Sequence, residues 1–184
     1  MTDRPKFPKR ALITAGMPYG SKELHFGHVG GVFVHADAFA RFLRDRIGKD
    51  NVIFVSGTDC YGSPIVEKYK SLTADGSFKG SILDFVQYNH DKQAQTLDDY
   101  LISPSLFAAS ALGESGKIHT EYSAEFFEKL AESGALIRLS TKQFYDEKYQ
   151  TFLNGRQVTG RCPIEGCKSE VGYADECSLG HQYF

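Results

Sequence analysis

The sequence predicts an α/β protein with a parallel sheet, and three consecutive segments carry that prediction. Residues 11–16, ALITAG, are a short apolar run typical of a buried strand. Apolar residues then recur with a helical period over residues 25–47, and residues 52–56, VIFVS, form a second apolar run rich in β-branched residues. Because a strand, a helix and a strand in this order form a βαβ unit, we expect a parallel sheet.

Beyond residue 56 the pattern predicts further helices and a boundary. Helices are predicted over three segments, residues 64–73, 80–100 and 119–133. The periodicity is lost between residues 101 and 117, and residues 136–153 alternate loosely, as short strands do. We therefore expect two units, residues 1–102 with the first half of the sheet and residues 103–184 as a second unit.

Composition excludes some classes of protein. A net charge of −2 gives no global basic field, so a nucleic acid would need a local patch or a part of a larger protein. The most apolar run, residues 31–40, is interrupted by His35 and Asp37, so no membrane span is predicted. The N-terminus is polar and lacks the apolar core of an export signal, so we expect a cytoplasmic protein.

Two histidines and several glycines lie at the predicted junction of the first strand and the first helix. His25 and His28 are three residues apart, and Gly27, Gly30 and Gly31 surround them. The N-terminus of a helix favours anions, and paired imidazoles on its first turn can donate to phosphate oxygens. The residues alone are equally consistent with a glycine-tolerant helix start that carries two exposed histidines.

Four soft donor residues cluster near the C-terminus: Cys162, Cys167, Cys177 and His181. Without an export signal, such a cluster indicates a metal rather than disulfides. Three thiolates and one imidazole would close a tetrahedral, structural zinc site. A three-ligand site, or a cluster that has lost its metal, stays open as an alternative.

The segment His25-Phe26-Gly27-His28 resembles the HIGH signature of class I aminoacyl-tRNA synthetases and related nucleotidyltransferases. Its context resembles the methionyl branch, in which a Pro-Tyr also lies upstream of the signature and a G/A-x-D-x-x-G-x-P-I segment follows the next strand. Residues 57–65 are similar to that segment. Residues 123–136, residues 143–149 and the cysteine cluster are similar, in order, to that branch's connective-peptide insertion and its zinc knuckle.

This resemblance implies that residues 1–102 are the first half of a Rossmann-like catalytic domain, with an ATP site and a methionine site. His25 and His28 match the catalytic histidines that bind the ATP phosphates, and Gly27 and Gly30 belong to the same ATP-binding set. Met17, Tyr19 and Asp59 match the methionine-binding positions, with the Asp59 carboxylate holding the substrate ammonium group. The residues themselves also allow Asp59 to be a turn acid and Tyr19 a half-buried core residue.

The implied activity is that of a methionine–tRNA ligase. ATP, accompanied by Mg²⁺, activates methionine to methionyl-adenylate, and the methionyl group is transferred to methionine tRNA. Zn²⁺ has a structural role in the knuckle, within a connective-peptide insertion over residues 103–184. The lysine-rich KMSKS loop of the family is absent. We therefore expect an N-terminal fragment that is inactive alone and binds tRNA mainly through regions it lacks.

Some positions depart from the family pattern. Ser21-Lys22 replaces a usual Asn-Gly, and Phe26 replaces a usual aliphatic residue. The first cysteine spacing is longer than usual, and His181 is the nearby soft donor that could replace a missing fourth cysteine. Two alternatives remain: another HIGH-motif nucleotidyltransferase, and a non-catalytic zinc-bearing binding module.

Overall fold

The computed structural model describes residues 6–153 and 155–183. Residues 1–5, 154 and 184, which the two predicted units include, lie outside the described residues. Three strands, β1 (Ala11–Thr14), β2 (Val52–Thr58) and β3 (Leu106–Ala109), form a parallel sheet in the order β1-β2-β3. The predicted α/β class and its parallel βαβ unit are confirmed.

One continuous helix connects β1 to β2, and its three parts differ in hydrogen bonding. It begins as a short α-helical turn, α1 (Phe26–His28), passes through a π-helical turn (Val29–Phe33) and continues as α2 (Val34–Ile47). A 3₁₀ turn (Lys49–Asn51) then leads into β2. The predicted helix over residues 25–47 is therefore present, and the π-helical turn falls within its glycine-rich segment.

Three further helices follow the second strand: α3 (Ser63–Ala74), α4 (Ile82–Asp99) and α5 (Gly113–Glu132). A capping box starts α4, because Ser81 and Asp84 each accept a hydrogen bond from the other's backbone N–H. The helix α5 begins before the predicted start at His119. The prediction missed its first turn because that turn carries no apolar residue that would reveal a helical period. It ends just before Gly134, whose positive φ of 73° is typical of a glycine that follows a helix.

The third strand lies where the sequence pattern predicted irregular structure. Leu106–Ala109 pairs in parallel with β2, and a Cβ on Gly57 would lie 2.4 Å from the carbonyl oxygen of Ala108. Glycine at position 57 therefore permits the two backbones to approach. The boundary after residue 102 stays a prediction, and the sheet extends beyond it.

The segment before β3 is tied to α2 by polar side chains. Asp37 accepts hydrogen bonds from Arg41 at 2.6 Å and from the backbone N–H of Ser103 at 2.9 Å. Arg44 donates to the Ser103 carbonyl and to the Ser105 hydroxyl. These contacts fix the start of β3 relative to the helix that precedes β2.

The hydrophobic core covers one face of the sheet. Ile13 and Phe54 pack there against Phe33 and Leu43 of the long helix, and Phe54 is fully buried. On the opposite face, the described structure leaves side chains of all three strands open, with Leu12 67%, Ile53 52% and Leu106 56% exposed. The two strands predicted as buried are therefore covered on one side by the described residues.

The C-terminal part has less regular structure. A hairpin of β4 (Phe144–Asp146) and β5 (Thr151–Leu153) precedes a 3₁₀ turn (Gly155–Gln157). Single bridges then join Gly160 to Gly172 and Gly172 to Cys177. Among the helices of the described segments, none is both long and apolar enough to cross a bilayer.

Candidate active site and metal centre

The loop after β1 continues the pairing of the sheet beyond the strand ends. The backbone N–H of Asp59 donates to the Pro18 carbonyl at 2.8 Å, and that of Gly20 donates to the Asp59 carbonyl at 2.7 Å. Tyr19 and Asp59 consequently form a parallel bridge. Gly20 has no room for a side chain, because a Cβ there would lie 2.9 Å from Val86. The structure thus brings two of the predicted methionine-binding residues together at the carboxyl ends of the strands.

His25 and His28 form a hydrogen-bonded pair at the start of the long helix. His25 is the N-cap residue, and its Nδ1 atom accepts from the Gly27 backbone N–H at 3.1 Å. The His25 backbone N–H in turn donates to Nδ1 of His28 at 3.3 Å, and the two ring centroids are 3.9 Å apart. Since both Nδ1 atoms accept, each neutral ring carries its proton on Nε2. Both histidines therefore hold a donor available to a bound anion.

The surroundings of His28 favour its neutral form. Burial, followed by the charges of His25 and Lys22, lowers the pKa of His28 from its ordinary value. A neutral His28 at pH 7 keeps the Nδ1 acceptor that this cap requires. An anion at the pair would oppose the shift, because a nearby negative charge favours the imidazolium form.

The two glycines of the predicted ATP-binding set differ in their surroundings. A Cβ on Gly27 would lie 2.9 Å from Cε1 of His25, closer than real contacts allow, so the capping conformation of His25 requires glycine. A Cβ on Gly30 would lie 3.4 Å from the exposed Phe26 ring, an ordinary contact. The His25 cap therefore explains why position 27 is glycine. Contact of either glycine with ATP stays a prediction.

Met17 lines an apolar cavity of about 290 Å³ beside the sheet. The other lining residues come from the strand ends and from α5: Thr14, Ala15, Val55, Ser56, Leu106, Ala108, Ala109, Ser110, Ser115 and His119. Neither Tyr19 nor Asp59 lines it, so the structure does not bring all three predicted methionine-binding residues to one cavity. The Asp59 carboxylate accepts from the Tyr61 backbone N–H at 3.1 Å, as a turn acid does.

Sequence reasoning missed a buried polar group under this loop. The Thr58 hydroxyl is hydrogen-bonded to both His90 and Gln93, and Gln93 also reaches the loop after β1. A signal was present, since His90 and Gln93 lie between Val86 and Leu97 at helical spacing on the apolar side of α4. Polar residues at such positions indicate a buried hydrogen-bonded network.

The four predicted metal ligands converge. The ligand atoms of Cys162, Cys167, Cys177 and His181 all lie within 4.8 Å of one another, and the three cysteines are free thiols. The Cys167 and Cys177 sulfur atoms are 3.9 Å apart, and Nδ1 of His181 lies 3.9 Å from the Cys162 sulfur and 3.2 Å from that of Cys167. A tetrahedral zinc site separates its sulfur atoms by about 3.8 Å and its sulfur and nitrogen by about 3.5 Å. The donor set and its spacing fit zinc.

The protein also favours a thiolate in this cluster. Burial by itself raises the pKa of the Cys177 thiol, but hydrogen bonds from the backbone N–H groups of His181 and Leu179 outweigh it and lower that pKa to about 6. A thiolate is the form that binds a metal. In contrast, burial raises the pKa of Cys162.

Comparison with known proteins identifies the family. The family model described as tRNA synthetases class I (M) matches residues 11–183. The chain belongs to the class I (M) tRNA synthetases. It is similar to the methionine–tRNA ligases of Cytophaga hutchinsonii, at 37% identity over 92% of this chain, and of Christiangramia forsetii, at 39% over 94%. It spans 23% of the length of each of these two relatives.

The fold of this synthetase-family chain also matches a solved structure. The chain superposes on the Mycobacterium tuberculosis methionyl-tRNA synthetase in complex with methionyl-adenylate with a TM-score of 0.64 and 22% identity. The match covers 92% of this chain and 31% of the other. It supports the assignment of a Rossmann-like fold to the residues around the sheet.

Proposed function

We propose that the chain acts as part of a methionine–tRNA ligase, in which ATP activates methionine and methionine tRNA receives the methionyl group. The observation that carries the proposal is the His25–His28 pair, whose Nε2–H donors stand at the start of the helix that follows the Tyr19–Asp59 bridge in a class I synthetase chain. The family membership and the named relatives support methionine as the amino acid.

The histidine pair binds the phosphates of ATP. Two neutral Nε2–H donors at the start of a helix stabilise negative charge without giving up their own protons. The methionine carboxylate attacks the α-phosphorus, a C–O–P linkage forms, and the bond to the β-phosphate breaks to release pyrophosphate. The side chains position the reactants and balance charge, while Mg²⁺ accompanies the ATP phosphates. Gly27 and Gly30 complete the ATP side.

Methionine binds on the other side of the same loop. The Asp59 carboxylate holds the ammonium group and keeps one oxygen on the Tyr61 N–H. Tyr19 lies beside it, and the apolar cavity lined by Met17 suits an unbranched thioether side chain. Zinc, held by the Cys162, Cys167, Cys177 and His181 cluster, stabilises the fold of the C-terminal segment and takes no part in the chemistry.

Calorimetry on the 184-residue chain tests this function. We expect binding of methionine and of Mg²⁺-ATP, and no methionine-dependent pyrophosphate exchange by the chain alone. His28→Ala should weaken ATP binding at least about tenfold, because it removes one Nε2–H donor and the Nδ1 atom that accepts from the His25 backbone N–H. His35→Ala, at an exposed position on α2, is the matched control and should leave ATP binding unchanged.

The alternatives give different results in the same experiment. ATP binding without methionine binding would favour another nucleotidyltransferase with the same motif. Binding of neither ligand by a zinc-loaded chain would favour a non-catalytic binding module. Equal ATP affinities of wild type and His28→Ala would contradict the assigned role of the histidine pair.

A further inference from the structure

We infer that Gln93 is a positioning residue that holds the loop between β1 and the histidine pair in its ligand-binding conformation. Gln93 lies on α4 and is fully buried. Its side-chain nitrogen, Nε2, is 2.9 Å from the Tyr19 carbonyl oxygen and 2.8 Å from the Lys22 carbonyl oxygen. One amide therefore binds both ends of the turn that joins Tyr19 to the residues before His25.

The hydrogen bonds around Gln93 have one consistent direction. Two carbonyl oxygens require the NH₂ group, so Oε1 of Gln93 faces the Thr58 hydroxyl at 2.7 Å and accepts a hydrogen bond from it. The Thr58 oxygen must then accept from His90, whose Nδ1 lies 2.8 Å away. The His90 ring stacks on Phe107 of β3 with 4° between the ring planes and 5.3 Å between centroids. The chain of donors runs from His90 through Thr58 and Gln93 to the loop.

This chain connects the two sides of the proposed ligand site. Thr58 precedes Asp59, and Tyr19 is the bridge partner of Asp59. Both Thr58 and Gln93 have no exposed surface, so bulk water does not compete for their hydrogen bonds in the folded chain. The loss of Gln93 would leave two carbonyl oxygens of the loop without that donor, and the loop would move away from Asp59.

Matched variants separate positioning from general stability. Gln93→Leu removes both donors, and Gln93→Glu keeps the size but places an oxygen against two carbonyl oxygens. Asn89→Leu is the control, because Asn89 is also buried on α4 but its side chain donates to Phe85 within the same helix. Hydrogen exchange over residues 17–22 reports the loop itself, and the Gly20 N–H, bonded to Asp59, is its most direct probe.

We expect both Gln93 variants to speed exchange at Gly20 at least about tenfold relative to the rest of β1 and β2. Asn89→Leu should speed exchange in α4 without this selective effect. Methionine affinity, measured by calorimetry, should fall at least about tenfold in the Gln93 variants and stay near wild type in Asn89→Leu. Equal effects of Gln93→Leu and Asn89→Leu on Gly20 exchange would overturn the inference, as would loop loosening with unchanged methionine affinity.

The inference rests on the proposed function only for its ligand. If the wild-type chain binds no methionine while the exchange results stand, the proposed function fails and the loop-holding role of Gln93 survives. Nitrogen NMR of the wild-type His90 ring gives a check that needs no variant. A neutral ring protonated at Nδ1 supports the direction of the donor chain, and a ring protonated at Nε2 alone overturns it.

Discussion

The histidine pair and the cysteine cluster both bring ligand-type side chains together, but different forces hold them. At the histidine pair, backbone N–H groups of His25 and Gly27 donate to the rings, and the partners lie within four residues. At the cluster, the ligand atoms come from residues 162–181 and lie within 4.8 Å of one another, and backbone N–H groups of Leu179 and His181 donate to the Cys177 sulfur. A bond from the Ser169 N–H to the Cys167 sulfur is one of the supports from outside the ligand set.

This difference predicts how each site responds to its ligand. The histidine pair is organised by a helix cap and a packed sheet, so it should keep its shape when no ligand is bound. Without a metal, no covalent bond joins the four ligand side chains into one unit, and the β-bridges around them are single. For such a segment, binding of a metal supplies much of the free energy of folding.

The largest expected effect is therefore that of removing the zinc proposed for the cluster. Removal of the metal by a chelator, or the substitution Cys177→Ser, should abolish protection from hydrogen exchange over residues 160–183. Apparent zinc binding free energies of structural sites are about 10–16 kcal/mol, so losing one ligand should lower affinity by orders of magnitude. Exchange in β1, β2 and α4 should change little, because their core lies elsewhere. Zinc content by elemental analysis gives the stoichiometry.

Cys60→Ser is the matched control for this experiment. Cys60 is a buried free thiol outside the cluster that donates to the Thr58 carbonyl. Its replacement should leave one zinc per chain. A zinc-free chain that keeps full protection over residues 160–183 would show that the cluster folds without metal, and would make the two sites alike.

The same comparison shows which features the sequence could predict. The βαβ unit was predictable from two apolar runs and the helical period between them. The convergence of the cysteines and His181 followed from chemistry, because soft donors at these spacings form a metal site. The capping geometry of His25 was not predicted. A spacing of three residues places the two rings near one another, but it does not show which ring nitrogen accepts a backbone N–H.

Features that depend on distant contacts escaped the sequence pattern. The strand β3 has four residues, and its pairing with β2 depends on the close approach of Gly57 to Ala108. The role of Gln93 depends on two carbonyl groups more than 70 positions earlier in the chain. Local propensity contains no information about such partners, whereas a polar residue on an apolar helix face at least indicates that a partner exists.

The second, intermediate effect is that of acid, which should act first on the cysteine cluster and then, at lower pH, on the sheet region. Zinc ligands must be deprotonated, so acidification should release zinc first. The sheet region should respond at lower pH through Asp37. Burial by itself raises the pKa of that carboxyl, but hydrogen bonds from Arg41 and Ser103 outweigh burial and lower the pKa. A lowered folded-state pKa gives stability that is present above the unfolded value and lost as pH falls through the folded value.

Asp37→Asn tests this second step. The variant should lose about 1.5–3 kcal/mol of unfolding free energy at pH 7, since hydrogen bonds to a charged group are worth about that much. The difference from wild type should shrink below about pH 4, where the unfolded-state carboxyl is protonated. Denaturant unfolding followed from pH 3 to 7 measures the loss at pH 7 and its dependence on pH. A constant difference across that range would contradict the role of Asp37 in the acid response.

The smallest effect distinguishes two glycines of the helix start. Glycine in a helix costs about 1 kcal/mol relative to alanine, so Gly31→Ala should raise the unfolding free energy by about that amount, since nothing lies within 4 Å of the added Cβ. Gly27→Ala should give no such gain, because its Cβ would displace the His25 ring and break the cap, at a cost of about 1 kcal/mol. Thermal unfolding of the two variants compares these effects, and the His25 ring signals in NMR should shift only in Gly27→Ala. Equal stabilisation by both alanines would mean that the histidine pair is not held by its cap, and the contrast with the cysteine cluster would then disappear.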